Sequence, residues 1–106
     1  MKLFDILKNP NIDENLKEYE SAKEAVLLDV RTEEEYALGH IPNSKNLPVQ
    51  VIDKVGKIVS RKDVPVFVYC RSGNRSSMAE EMLKNMGYKK VKNIGGILSY
   101  SGAVEY

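Results

Sequence analysis

The stretch VPVFVYCRSGNRSSMAEEMLKNMGY, residues 64–88, joins an apolar run to a polar loop and then to an amphipathic segment. Val, Phe and Tyr dominate the first part, and these residue types favour a buried strand. Ser76 or Ser77 is suited to cap a following helix, and Gly87 is suited to end it. The predicted core face of that helix consists of Met78, Ala79, Met82, Leu83 and Met86. The stretch therefore predicts a strand over 64–70, a short loop and a helix, with the only cysteine, Cys70, at the end of the strand.

Similar elements are predicted on both sides of this stretch. Before it, we expect an edge strand at 2–7 closed by a turn at 9–11, a helix from residue 12 capped by Asn11 or Asp13, a buried strand at 25–30, and a short helix that starts with a capping box at Thr32 and ends near Gly39. Residues 41–49 predict an irregular connection with at most a short strand, followed by a helical turn or two before Gly56. After it, we expect a last strand at 91–94, a turn at Gly95-Gly96, and a short helix or tail to the end.

Strands that alternate with helices at this spacing are typical of an α/β domain with a mostly parallel central sheet flanked by helices. No repeat or composition shift divides the chain, so residues 1–106 are predicted to form a single domain. The carboxyl ends of parallel strands carry the chemistry in such folds, and Cys70 stands at one of them.

Composition excludes several function classes. Lys and Arg total 16 and Asp and Glu total 15, a formal net charge of +1, which gives no electrostatic argument for binding nucleic acid or a membrane surface. A single cysteine cannot form an internal disulfide, and the first residues lack the apolar core of a signal peptide. The expected location is therefore the cytoplasm, with the thiol kept reduced.

Cys70 has two readings: a buried, inert thiol that ends a strand, or a nucleophile at the mouth of a site. The residues that follow favour the nucleophile, because a strand-to-helix loop directs backbone N–H groups inward and the helix start adds the positive end of its dipole. Gly73 permits positive φ and Asn74 tolerates it, while Arg71 and Arg75 supply permanent positive charge. Such surroundings lower the pKa of a thiol. The predicted anion-binding residues are Arg71, Ser72, Gly73, Asn74, Arg75 and Ser76, with Ser76 equally suited to be only a helix cap.

Four residues separate Cys70 from Arg75, whereas cysteine-dependent phosphatases have five in a loop that wraps a phosphoryl group. The smaller loop resembles the active-site loop of the rhodanese (thiosulfate sulfurtransferase) family. LLDVRTEEEYALGHIPNSKNLP (27–48) and VKNIGGILSY (91–100) also resemble segments of that family, in the expected order. Tyr100 departs from the pattern, since the family often has Trp there.

The resemblance implies a three-layer rhodanese-like fold and a role for Cys70 as the sulfur-carrying nucleophile. It also implies an ion pair between Arg31 and Glu35 that holds a helix to a strand, and places Asp29 where it can accept backbone hydrogen bonds near the loop. His40 is expected to be structural rather than a general base. No cofactor and no metal are implied, and one Cys with one His offers no credible metal-ligand set.

The predicted reaction is ping-pong sulfur transfer from thiosulfate or another sulfane-sulfur donor to cyanide or to a low-molecular-weight or protein thiol, through a Cys70 persulfide. Arg71 is expected to steer the sulfonate of the donor, and Arg75 either binds it too or braces the loop. Two alternatives remain. One is a rhodanese-like persulfide carrier or protein-interaction module without turnover. The other is a phosphatase or arsenate reductase, against which the four-residue spacing counts.

Overall fold

The computed structural model of the protein describes residues 11–106. The elements in chain order are α1 (Ile12–Ser21), β1 (Val26–Asp29), α2 (Glu33–Ala37), β2 (Lys45–Asn46), a 3-10 segment (Val49–Lys57), β3 (Val66–Cys70), α3 (Asn74–Asn85), β4 (Val91–Gly96) and a 3-10 turn (Ile97–Ser99). All four described strands pair in parallel, in the order β2-β1-β3-β4. This confirms the predicted α/β class. The strand expected at 2–7 lies outside the described residues.

The side chains of β3 alternate between the two faces of the sheet, because successive residues of a strand point to opposite sides. Val66, Val68 and Cys70 join one apolar cluster, and Phe67 and Tyr69 join the other. Both faces are covered, which explains why every residue of β3 is buried and why the run is apolar throughout rather than alternating.

Different elements cover the two faces and give the fold its three layers. The cluster that contains Cys70 packs against the 3-10 segment and α3, through side chains that include Ile52, Val55, Ala79 and Leu83. The opposite cluster packs against α1 through Ile12 and Leu16. The catalytic candidate therefore lies on the face covered by α3, the helix that directly follows it in the chain.

The first two helices begin as predicted. Asn11 caps α1, with its side-chain oxygen accepting from the amide of Asp13 at 3.0 Å. Thr32 and Glu35 form a reciprocal capping box at the start of α2, which satisfies backbone groups that a five-residue helix would otherwise leave unpaired. The chain turns after α2 at Gly39, whose φ is +138°.

The start of α3 differs from the prediction. The helix begins at Asn74, and Gly73 occupies the capping position with a φ of +108°, so neither Ser76 nor Ser77 is the cap. Asn74 is already helical and does not need positive φ. Because Gly73 turns the chain directly after the strand, the helix starts without a side-chain cap, and the Ser76 hydroxyl is free for other contacts.

The predicted methionine stripe of α3 is also wrong in part. The buried face of the helix consists of Ser76, Ala79 and Leu83, which recur at helical spacing. Met78 and Met82 lie to one side of this face and are 56% and 41% exposed. Each of these methionines directly precedes a buried residue, Ala79 or Leu83, and successive helix residues are about 100° apart around the axis, so neither lies on the buried face.

Two further boundaries differ from expectation. Gly95 and Gly96 do not form a turn: they continue β4 and pair with Tyr69 and Cys70, after a bulge between Val68 and Tyr69. The helical turns expected before Gly56 are a 3-10 segment that runs through Gly56 to Lys57. Parallel pairing with β3 holds the glycines in the strand, where sequence alone indicates a turn.

The chain end returns to the site region. An antiparallel bridge joins His40 to Glu105 through two backbone hydrogen bonds of 2.9 and 2.8 Å.

Among residues 11–106, no helix is long and apolar enough to cross a membrane.

Candidate active site

Cys70 is the last residue of β3 and is 1% exposed. Only Arg71, Ser72 and Gly73 separate it from the start of α3, so the loop curls tightly around the sulfur. The positive φ of Gly73 provides that curl, which a residue with a Cβ would adopt only with strain. The loop thereby brings the N-terminal end of α3 to the thiol.

The sulfur of Cys70 receives hydrogen bonds from this loop. The amide of Gly73 donates to Sγ at 3.0 Å, and the hydroxyl of Ser76 lies 3.4 Å from Sγ. Burial acts to raise the pKa of the Cys70 thiol, but hydrogen bonds from the Ser76 hydroxyl and from the amides of Ser76, Gly73 and Ser72 outweigh it and lower the pKa. Backbone amides stabilise the thiolate, which is the reactive form of the side chain.

Arg75 points away from the sulfur toward α2. Its guanidinium makes two hydrogen bonds to the Glu35 carboxylate, at 2.7 and 3.0 Å, and both side chains are about one-third exposed or less. Glu35 also accepts from the amide and hydroxyl of Thr32. The hydrogen bond from Arg75 lowers the pKa of Glu35 to about 2. Arg75 thus braces α3 against α2, the second of the two roles that the sequence left open.

The ion pair predicted between Arg31 and Glu35 does not form. Arg31 instead binds Asp29 through its Nε and Nη2 atoms at distances of 2.6 to 3.0 Å, and its Nη2 also donates to the carbonyl of Gly39 at 2.8 Å. Burial acts to lower the pKa of Arg31, but the hydrogen bonds and charge of Asp29 raise it. The side chains of Arg31 and Asp29 are both buried. A buried charge needs a close partner, so Arg31 pairs with Asp29, two residues away, rather than with the more exposed Glu35.

Asp29 does not accept hydrogen bonds from the loop after Cys70, contrary to expectation. Besides the guanidinium, its carboxylate accepts from the backbone amide of Arg31 at 2.9 Å. The pair closes the end of β1 beside the loop and anchors the turn at Gly39.

His40 lies against α2 rather than against the sulfur. Its ring stacks on the ring of Tyr36 with centroids 3.6 Å apart and planes 2° from parallel. Its Nδ1 is 2.9 Å from the carbonyl oxygen of Tyr36, so Nδ1 is the donor. Tyr36 thus occupies the imidazole, while the backbone of His40 bridges to Glu105.

Arg71 and Ser72 are exposed at the rim of the loop. Arg71 borders a groove of about 320 Å³. The other residues that line the groove are Arg31, Glu35, Leu38, Gly39, Ile97, Leu98 and Val104. Arg31 and Glu35 already have partners, and Arg71 has no ion pair among the described residues. Its guanidinium is therefore the charge in this groove that an anion can bind.

Sequence reasoning missed two residues that contact the loop from β4. Asn93 hydrogen bonds to the Ser76 hydroxyl and to the carbonyl of Gly73, and Gly96 lies directly under Arg71 and Ser72. The available signal was the segment VKNIGG, in which the glycines were interpreted as a turn. Strand pairing, which the segment does not encode locally, carries both residues to the site.

Together, these contacts present a buried thiol of lowered pKa, backbone amides directed at it, and a cationic groove at the rim. Such a site suits a nucleophile whose covalent product is also negatively charged, because the same amides stabilise the charge before and after reaction. Among residues 11–106, no three His, Cys, Asp or Glu side chains are grouped so that they could hold a metal ion.

Comparison with known families identifies the family of the chain. The model of the rhodanese-like domain family matches residues 12–103. The chain belongs to that family. Rhodanese relatives include thiosulfate sulfurtransferase PspE of Escherichia coli, 38% identical over 66% of this chain and 68% of PspE. A putative mitochondrial thiosulfate sulfurtransferase of Schizosaccharomyces pombe is 36% identical over 90% of this chain and 69% of that protein.

A solved structure has the same rhodanese fold. The E. coli rhodanese determined with anions superimposes with a TM-score of 0.71 at 33% identity, covering 76% of this chain and 96% of that one. These relatives support a general role in sulfur transfer.

Other rhodanese relatives are much longer than this chain. The chain spans about a fifth of the fungal adenylyltransferase and sulfurtransferase uba4 of Ogataea parapolymorpha, to which it is 36% identical over 80 residues. It spans 43% of the putative sulfur carrier protein YrkF of Bacillus subtilis, also at 36% identity.

Proposed function

We propose that this rhodanese is a thiosulfate sulfurtransferase that moves a sulfane sulfur from thiosulfate, or a similar donor, to a thiol or to cyanide. The observation that carries the proposal is the hydrogen bond of 3.0 Å from the Gly73 amide to Cys70 Sγ. That bond and the lowered pKa of the thiol favour the thiolate form of Cys70 without a separate general base.

In the first half-reaction, the Cys70 thiolate attacks the outer sulfur of thiosulfate. The sulfur–sulfur bond of the donor breaks, sulfite leaves with the bonding electron pair, and Cys70 becomes a persulfide with its negative charge on the outer sulfur. Loop amides lie within reach of both the thiolate and the persulfide charge, so neither state requires a cation from solution.

In the second half-reaction, the acceptor attacks the outer sulfur and the Cys70 thiolate is the leaving group. Cyanide becomes thiocyanate, and a thiol becomes a persulfide. Electrons balance without a redox cofactor, because the sulfur passes from donor to acceptor in the same oxidation state.

Arg71 is our candidate for binding the sulfonate of the donor, because its charge is exposed in the groove. Ser72, Gly73 and Ser76 direct amides and the Ser76 hydroxyl at the sulfur, and Asn74 is our further candidate for contacting the donor at the start of α3. Arg75 acts indirectly by pairing with Glu35. Asp29, Arg31 and His40 hold the surrounding turns.

Mass spectrometry tests the nucleophile. Incubation with thiosulfate should add the mass of one sulfur atom to the intact protein, and Cys70→Ala should prevent the addition. Cys70 is the only cysteine, so the variant contains no other thiol that could take the sulfur. Addition of sulfur to Cys70→Ala would contradict the proposal.

Kinetics with an Arg71→Ala variant test the donor site. Losing one charge-assisted contact to the sulfonate should raise KM for thiosulfate roughly tenfold. Alkylation of the thiol by neutral iodoacetamide should change little. Arg61→Ala is the matched control, because it removes the same charge from an exposed site where Arg61 pairs with Asp63. An equal rise in KM for both variants would remove Arg71 from the site.

A persulfide carrier is the second candidate function, and the similarity to the putative carrier YrkF favours it. The exposed rim of the loop gives a partner protein access to the sulfur-binding residues. Steady-state production of thiocyanate from thiosulfate and cyanide supports the enzyme. A persulfide that forms only with a partner desulfurase, without turnover of thiosulfate, supports the carrier.

We further propose that residues 1–106 form one rhodanese-like domain and that it works in a reducing compartment such as the cytoplasm. A free, reactive thiol supports the compartment, since oxidation of Cys70 would block the proposed reaction. Limited proteolysis should leave one resistant fragment.

A further inference from the structure

Asn93 is a strand residue whose side chain makes three hydrogen bonds: to Gly73 of the active loop (residues 71–73), to Ser76 in the first turn of α3 and to Gly95 of its own strand. It lies on β4 opposite Val68. Its Oδ1 accepts from the Ser76 hydroxyl at 2.7 Å and from the amide of Gly95 at 3.0 Å, and its Nδ2 donates to the carbonyl of Gly73 at 3.2 Å. None of these contacts reaches the sulfur directly, so any effect of Asn93 on Cys70 acts through Ser76 or the loop.

The orientation of the Asn93 amide is fixed by its backbone partners. The amide of Gly95 can only donate and the carbonyl of Gly73 can only accept. If the side-chain amide were flipped, its NH2 group would face the Gly95 amide and its oxygen would face the Gly73 carbonyl, so neither hydrogen bond could form. The oxygen of Asn93, rather than its nitrogen, therefore faces the Ser76 hydroxyl.

The Ser76 hydroxyl has one proton and three neighbouring acceptors. They are Asn93 Oδ1 at 2.7 Å, the Gly73 carbonyl at 3.1 Å and Cys70 Sγ at 3.4 Å. The Gly73 carbonyl already accepts from the amide of Ser77 and from Asn93 Nδ2, which occupies both of its lone pairs. The proton therefore goes either to Asn93 or to the sulfur.

We propose that Asn93 is a positioning residue that competes with the Cys70 sulfur for the Ser76 hydroxyl proton. Two oxygen atoms 2.7 Å apart require a proton between them, so turning the hydroxyl toward the thiolate breaks the bond to Asn93 and leaves those oxygens in repulsive contact. Asn93 thus limits the share that the Ser76 hydroxyl has in lowering the pKa of the Cys70 thiol, and the amides of Ser72, Gly73 and Ser76 supply the rest.

The competition between Asn93 and the sulfur assists sulfur transfer, an interpretation that rests on the proposed function. The negative charge is on Sγ in the thiolate but on the outer sulfur in the persulfide. A hydroxyl held by Asn93 does not favour the thiolate over the persulfide, so loading is not opposed. It also leaves the thiolate more nucleophilic, because nucleophilicity falls as the thiol pKa falls.

A double-mutant cycle with Ser76→Ala and Asn93→Leu tests the competition. Leu has the same branched skeleton as Asn, although a larger volume, and cannot accept the proton. The readout is the thiol pKa, measured from the pH dependence of iodoacetamide alkylation of the only cysteine. Asn93→Leu also frees a lone pair on the Gly73 carbonyl, but the charged thiolate is the stronger acceptor for the Ser76 hydroxyl. Ser76→Ala should therefore raise the pKa more in the Asn93→Leu background than in the wild-type background, with an expected excess of about half a pH unit. An equal or smaller rise in the Asn93→Leu background would overturn the proposal.

The cycle separates this effect from general damage to the loop. Any loss of loop geometry in Asn93→Leu is common to the single and double variants and cancels in the difference. The charged groups near the sulfur also cancel, because Arg71, the Arg75–Glu35 pair and the Asp29–Arg31 pair are present in all four proteins.

A second measurement covers the case in which Asn93→Leu does not fold. In the otherwise wild-type protein, Ser76→Ala alone should raise the thiol pKa by less than about half a pH unit, and any larger rise would overturn the proposal. Alkylation needs only the thiol. If the cycle behaves as expected but no sulfur is transferred, the proposed function is contradicted and Asn93 keeps its role.

Discussion

The carboxylate of Glu35 has two structural roles. It completes the capping box of α2 with Thr32, and it pairs with Arg75 at the first turn of α3. The capping role is local and follows from the spacing of the two residues. The pairing role joins helices that are 40 residues apart in the chain. The same side chain thus links the start of one helix to the geometry of the active loop.

Replacing Glu35 by Gln should remove the ion pair while leaving an oxygen for the cap. Because the folded-state pKa of Glu35 is about 2 against an ordinary value of 4.5, its contribution is complete above pH 4.5 and is lost as the pH falls toward 2. Glu35→Gln should lower the free energy of unfolding by about 1–2 kcal/mol at pH 7, after allowance for partial exposure.

Urea unfolding at several pH values checks the sign. The difference between wild type and Glu35→Gln should shrink by about half between pH 7 and pH 3. Glu34→Gln is the control, because Glu34 is exposed and has no ion pair in residues 11–106. If the difference in free energy of unfolding between wild type and Glu35→Gln stays constant with pH, the Arg75–Glu35 ion pair contributes nothing to stability.

At the scale of elements, the end of β4 packs directly against the active loop. A Cβ placed on Gly96 would lie 2.6 Å from Ser72 Cα and 2.7 Å from the Ser72 carbonyl carbon, distances that real Cβ atoms do not adopt. The strand and the loop are therefore in backbone contact, and the loop cannot keep its curl if β4 gains a side chain there.

Gly96→Ala should push Arg71 and Ser72 outward. We expect a loss of about 1–3 kcal/mol in the free energy of unfolding, as for other overpacked sites. The thiol pKa should rise as the loop amides move away from the sulfur. Gly56→Ala is the matched control, since nothing lies within 4 Å of a Cβ at that position. Chemical denaturation and iodoacetamide alkylation measure both effects; equal behaviour of the two variants would contradict the contact.

At the scale of the whole molecule, Tyr69 ties the connection before β2 to the central strand. The side chain is fully buried, and its hydroxyl accepts from the amide of Ile41 at 3.0 Å and contacts the Ser44 hydroxyl at 3.0 Å. Burial raises the pKa of Tyr69, so the hydroxyl stays protonated. One residue before Cys70, the strand is thus fixed from the opposite face of the sheet.

Tyr69→Phe should leave the Ile41 amide buried without an acceptor. The expected cost in the free energy of unfolding is about 1–3 kcal/mol. Tyr19→Phe is the control, because the Tyr19 hydroxyl makes no hydrogen bond within the described residues, and its effect should stay within about 0.5 kcal/mol. Equal stabilities of the two variants in urea unfolding would show that the hydrogen bond between the Tyr69 hydroxyl and the Ile41 amide does not stabilise the fold.

Local patterns were sufficient to predict the α/β class, the position of β3, the cap at Asn11 and the capping box at Thr32. Each depends on residues within one element: a continuous run of Val, Phe and Tyr, or a side chain three positions from its partner. The loop after Cys70 belongs to the same group, because the cysteine, glycine and arginines lie within six residues of one another. The sequence alone therefore determined the family and singled out Cys70, whose role as the nucleophile stays a prediction.

Only the tertiary structure decided which partner each charged or polar side chain takes. Arg31 binds Asp29, Glu35 binds Arg75, and Gly96 sits under the loop. Asn93 reaches Ser76 because the register of β4 against β3 sets it opposite Val68. Spacing along the chain cannot rank such partners. Burial and strand register control the distances, and an ion pair or hydrogen bond weakens steeply over a few ångströms.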